Sequence, residues 1–154
     1  MLKYVDTKVT FAEVPNEISL CINISNCPCN CKGCHSSYLA EDIGNELNGN
    51  SIKELINNNK GITCICFMGG DSNPLKVDAL AQWVKINYPI KTAWYSGRQE
   101  LSKNINLNNF NFIKLGPYVE ELGPLNSKTT NQRFYRIEEN KLVDITNLFW
   151  KDSD

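Results

Sequence analysis

Four of the seven cysteines crowd into one short segment, Cys27-Pro28-Cys29-Asn30-Cys31-Lys32-Gly33-Cys34, which His35 follows directly. An odd number of cysteines, so unevenly spread, is poor material for a disulfide framework. Clustered thiolates in a reducing compartment bind metals or do redox chemistry. Cys27, Cys31 and Cys34 give the spacing C-x3-C-x2-C. Three thiolates on one loop can hold three corners of an iron–sulfur cubane, which normally takes four. An iron left with an open position could accept a substrate or cofactor, as an open catalytic zinc does. Cys29 is additional to the spacing, and alternate positions in a tight loop point apart, so it is not expected to be a ligand. A competing reading is a structural zinc knot made from the four cysteines and His35. It lacks the usual distant second half-site, since His35 is the only histidine.

Two further segments could do chemistry. Gly69-Gly70-Asp71 precedes a helical pattern. Glycines let a backbone approach a ligand closely, and Asp71 offers a carboxylate to an ammonium group. A plain strand-to-helix turn would use the same residues. Ser96-Gly97-Arg98 follows an apolar run, and the Arg98 guanidinium suits a carboxylate of a cofactor or of a partner. A solvated surface arginine is the alternative.

These segments need elements to hold them. Glu17–Ile24, Ile62–Phe67, Lys91–Ser96 and Phe110–Leu115 are short apolar runs and are predicted as strands. Helices are predicted at Ser36–Glu41, at Ser51–Asn57 and from Pro74, with Asn73 as cap and Pro89 as stop. Val77, Leu80, Trp83 and Val84 form the apolar stripe of the last. A weak helix is expected within Gln99–Leu107. Arg133–Ile137 and Lys141–Ile145 should form a hairpin turning at Glu139-Asn140. Strands alternating with helices imply an α/β fold with a mostly parallel sheet. The chain is too short for a closed eight-unit barrel, which takes about 250 residues. A partial (open) β/α barrel with a C-terminal hairpin is the expectation. The cysteine loop, the Gly69 loop, the Ser96 loop and Leu115-Gly116-Pro117 would then share the carboxyl edge of the sheet, where α/β folds place their chemistry. Cys21, Cys64 and Cys66 sit in predicted strands and are expected to act as small core hydrophobes.

At 154 residues the chain is expected to be one domain, 1–154. Hydrophobic residues make up 42% and charged residues 21%, and Lys+Arg 16 against Asp+Glu 17 gives net charge -1. That balance argues against a nucleic-acid partner, which needs a basic surface. No apolar run approaches the roughly 20 residues of a membrane span, and the N-terminus lacks a signal-peptide pattern. No membrane contact and a cytoplasmic location are expected.

The C-x3-C-x2-C spacing with a following Gly-Gly-acid loop resembles the radical S-adenosylmethionine superfamily. Within it, the short length, Cys-Lys-Gly-Cys-His, Gly69-Gly70-Asp71 and the late segment GPYVEELGPLN…TTNQRFYRI resemble the small activating enzymes of anaerobic (class III) ribonucleotide reductase. The likeness runs from Glu13 to about Ile137. It implies a [4Fe-4S] cluster on Cys27, Cys31 and Cys34, with S-adenosyl-L-methionine as cofactor. It implies a glycyl-radical-generating oxidoreductase like the formate C-acetyltransferase-activating enzymes. Its partners would be the glycyl radical subunit of the reductase and a one-electron donor such as flavodoxin or ferredoxin. Gly33, Cys34, His35, Gly69, Gly70, Asp71, Ser96 and Arg98 would contact S-adenosylmethionine, Asp71 through the methionyl amine. Many superfamily members carry an aromatic residue where Gly33 stands, so adenine contact would pass through the backbone and His35. Asn131, Gln132 and Arg133 would pack over the rim or meet the partner. A partial barrel leaves one side open, and the partner is expected to close it. A different small radical S-adenosylmethionine enzyme and a zinc-stabilised binding module remain the alternatives.

Overall fold

The computed structural model describes residues 2–25 and 43–150. The first apolar run forms a strand at Ser19–Ile24 (β2), with an earlier strand, Lys3–Thr10 (β1), antiparallel beside it. A two-residue strand, Asn45–Glu46 (β3), pairs with the start of β1. The helix Gly49–Asn58 (α1) is longer than the periodicity predicts. Asn48 caps it in a reciprocal box with Ser51, and Ile52 and Ile56 are its buried positions. Cys64–Met68 (β4) leads into Pro74–Asn87 (α2), whose cap is the Asn73 side chain on the Lys76 amide. Lys91–Tyr95 (β5), Phe112–Leu115 (β6), Arg133–Glu138 (β7) and Lys141–Asp144 (β8) complete the order. The final turn is the predicted one. Glu139 and Asn140 take φ of 50° and 60°, as a two-residue hairpin loop of this hand requires.

The described strands form one open sheet in the order β3-β1-β2-β4-β5-β6-β7-β8. Its centre, β2-β4-β5-β6, is parallel, and antiparallel strands flank it on both sides. The parallel core and C-terminal hairpin match expectation; β1 and β3 are additional. The predicted helix at Ser36–Glu41 lies outside the described residues. No helix forms within Gln99–Leu107, only a 3-10 turn at Leu107–Asn109. Asparagine and aspartate side chains explain this. The Asn106 side chain accepts from Asn108 N, and Asp78 on α2 accepts from Asn106 N and Asn109 Nδ2. Such side chains compete with the helical backbone ladder.

Both faces of the sheet are buried. Leu20, Ile22, Ile65, Phe67, Trp94 and Ile113 meet the helices through Val77, Leu80 and Val84. The opposite face carries Cys21, Cys64, Cys66, Ala93, Tyr95, Phe112 and Phe134 under Val14, Leu125 and Ile145. Segments of the chain itself pack on that face of the open sheet, and the Tyr95 hydroxyl donates to the Glu13 carbonyl at 2.5 Å. Cys21, Cys64 and Cys66 are free and buried, as expected of core cysteines. Burial pushes the Cys64 thiol up to about 12 and the Cys66 thiol well above its ordinary range. Thiolates, not thiols, are the nucleophiles. Alkylation of the native protein at pH 8 should thus leave Cys64 and Cys66 unmodified, read by peptide mass spectrometry; labelling as fast as a free thiol would contradict this packing. No helix among the described residues is long and apolar enough to cross a membrane.

Candidate functional site

The parallel strands deliver three loops to one rim: Gly69-Gly70-Asp71 after β4, Ser96-Gly97-Arg98 after β5 and Gly116-Pro117 after β6. Gly69 and Gly70 have φ of 106° and 93°, a region that side chains other than glycine rarely adopt. A Cβ on Gly70 would stand 2.5 Å from Val77 Cγ2, so α2 leaves no room for one. A Cβ on Gly69 would stand 3.2 Å from the carbonyl oxygen of Ile24. The β4 loop is thus laid against the end of β2.

Asp71 joins the first two loops. Its side chain is buried at 4% exposure. The Ser96 hydroxyl donates to Oδ1 at 2.5 Å and the Gly97 amide to Oδ2 at 2.8 Å. Ser96 Oγ also accepts from the Arg98 amide at 3.2 Å. Charge-assisted bonds of this kind are about twice as strong as neutral ones. Gly69, Gly70, Asp71 and Ser96 are therefore brought together as the sequence suggests. Arg98 joins them through its backbone, and its side chain is exposed.

Two residues of predicted strands, to which the sequence reading gives no role at the site, hold the rim. Trp94 Nε1 donates to the Gly69 carbonyl at 2.7 Å, while the Gly69 amide donates to the Tyr95 carbonyl at 3.0 Å. Lys114, in β6, donates to the carbonyls of Ser96 at 3.0 Å and Gly116 at 2.9 Å. The available signal was a lysine inside an otherwise apolar strand, at the parity of Phe112. Asn131 and Gln132 close the neck of the loop that follows β6. Asn131 Nδ2 donates to the Pro117 carbonyl at 3.1 Å, and Gln132 Nε2 reaches the Gly116 carbonyl at 3.5 Å. Arg133 stands 3.6 Å from Asp144 on the exposed hairpin. Beside the rim lies a groove of about 270 Å³ lined by Gln99, Glu100, Leu115, Asn131, Arg133 and Tyr135.

Cys27, Cys29, Cys31, Gly33, Cys34 and His35 lie outside the described residues. The described structure nonetheless fits a cluster carried by that segment. Residue 25 ends the described stretch at the carboxyl end of β2, two residues before Cys27, and Gly69 abuts Ile24 there. Among the described residues, no group of three or more His, Cys, Asp or Glu side chains could hold a metal ion. The described part of β2 thus ends beside the Gly69–Asp71 loop, which brings polar groups and close backbone to the same edge.

A family model described as a 4Fe-4S single cluster domain matches residues 18–138. That span begins just before β2 and ends with β7, so it contains the cysteine segment and all three rim loops. No curated protein and no solved structure gave a match.

Proposed function

This chain belongs to the 4Fe-4S single cluster domain family, and from that premise we propose that it is the activating enzyme of an anaerobic ribonucleotide reductase. The coarser assignment is a radical S-adenosylmethionine type of enzyme with a [4Fe-4S] cluster, S-adenosylmethionine being typical of the family. When bound, cluster and cofactor together supply a one-electron cleavage that yields methionine and a 5′-deoxyadenosyl radical. We assign Cys27, Cys31 and Cys34 as the cluster ligands, and Gly33, Cys34, His35, Gly69, Gly70, Asp71, Ser96 and Arg98 to the cofactor.

The observation that carries the reading is the Asp71–Ser96–Gly97 lattice at the carboxyl edge of the sheet, where the described part of β2 ends. It is a buried, hydrogen-bonded carboxylate on a loop of two left-handed glycines. The glycines expose backbone to a ligand, and a carboxylate has about four acceptor sites. Ser96 and Gly97 both donate to it, so the carboxylate orients the β5 loop at the place where we assign the ammonium group of the cofactor. Arg98, exposed at the rim, suits a carboxylate of the cofactor or an acid of the partner. We place the approach of the partner's glycine at the rim, above the packed face. Near-zero net charge leaves that docking to local patches.

The test mixes the anaerobically reduced protein, S-adenosylmethionine and a candidate reductase. A glycyl radical signal in electron paramagnetic resonance, dependent on all three, is expected. Cofactor cleavage with no radical on any tested reductase would point to another small radical S-adenosylmethionine enzyme.

A further inference from the structure

The sequence places a lysine where packing alone would favour a leucine. β6 is otherwise Phe112, Ile113 and Leu115, and all four of its residues are buried. Lys114 is 8% exposed. Burying an ammonium is costly unless its protons are bonded, so the partners of Lys114 identify what it does. By register it lies between Tyr95 of β5 and Phe134 of β7, on the face away from the helices. Its Nζ stands 5.7 Å from the centroid of the Tyr95 ring. From there it donates to the Ser96 and Gly116 carbonyls, one in the loop after β5 and one in the loop after β6. A second tie runs in parallel: the Gly116 amide donates to the Arg98 carbonyl at 2.7 Å.

Ser96 is consequently gripped at both ends. Its hydroxyl donates to Asp71 and its carbonyl accepts from Lys114. The carboxylate comes from the β4 loop and the ammonium from β6. We infer that Lys114 is a positioning residue that welds the loops after β5 and β6 to the Asp71 lattice, so that three rim loops present their groups to the cofactor as one rigid unit. This rests on the activity proposed above. Lys114 acts through Ser96, Gly97 and Gly116, and its ammonium need not touch the cofactor.

The test uses Lys114→Met, which keeps length and apolar bulk but loses the donors. The variant leaves the Ser96 and Gly116 carbonyls without this donor, which costs stability at the rim, so protection in α2 serves as the control that the fold itself is kept. Hydrogen–deuterium exchange on the anaerobic protein should show the Gly97 and Gly116 amides exchanging faster by about tenfold, the order expected for losing hydrogen bonds to a charged group. The α2 amides should be unchanged. In steady state, KM for S-adenosylmethionine should rise about tenfold, while kcat for 5′-deoxyadenosine and iron content stay within about twofold of wild type. Unchanged exchange in both loops would overturn the brace. A loosened rim with unchanged KM would overturn its role toward the cofactor. Failure of the wild-type protein to make 5′-deoxyadenosine would count against the activity instead, and the exchange comparison would then decide the brace alone.

Discussion

Replacing Cys27, Cys31 and Cys34 together by alanine should reduce bound iron from about four per chain to background and abolish formation of 5′-deoxyadenosine. Both sheet faces are packed by other residues, so the variant should keep its fold, visible as an unchanged far-ultraviolet circular dichroism spectrum. Cys29→Ala should retain iron and activity near wild type. The pair of results separates the two metal chemistries open to this segment. A tetrahedral zinc site drawing on all four cysteines would lose metal in the Cys29 variant as well. The family match favours the [4Fe-4S] reading. Iron retained by the triple variant would place the cluster elsewhere and remove the basis of the assignment.

The second large effect is expected at Asp71. Asp71→Ala removes the acceptor for the Ser96 hydroxyl and the Gly97 amide at a site that is 4% exposed. Hydrogen bonds to a charged group contribute about 1.5–3 kcal/mol each. If about 3 kcal/mol of that total is felt at the cofactor, KM for S-adenosylmethionine rises on the order of 100-fold. Iron content should stay near wild type, because the cluster ligands are on another segment. Parallel loss of iron and cofactor binding would show that Asp71 supports the cluster, not the cofactor. Ser96→Ala gives the finer comparison. The two residues share one bond, so their effects in the double variant should fall short of the sum. Full additivity would mean that Asp71 meets the cofactor independently of Ser96.

The parts of this site that were legible in the sequence are those governed by short-range pattern. Apolar runs broken by glycine gave the central strands, and the cap Asn73 with Pro74 gave the start of α2. Together they bring the Gly69 and Ser96 loops to one edge. What stayed hidden depends on contacts between distant segments. Ser96 and Asp71 are 25 residues apart, and Trp94 and Gly69 are also 25 apart. No local pattern says that the indole of a core tryptophan also holds a loop carbonyl. Lys114 is not legible within its apolar strand because periodicity reports which side chains are buried, not what a buried ammonium donates to. β1 is not legible because its side chains are mostly half-exposed and a bulge between Tyr4 and Asp6 breaks its alternation. The helix expected within Gln99–Leu107 failed for a reason the sequence does contain: asparagines whose side chains cap short turns.

The most direct measurement is made on the wild-type protein alone. It is reconstituted with iron and sulfide without oxygen, reduced by one electron, and given S-adenosylmethionine. The proposed function requires a brown protein holding about four irons, with methionine and 5′-deoxyadenosine formed in equal amounts. A colourless zinc protein, or a reduced iron cluster that leaves the sulfonium intact, would contradict it.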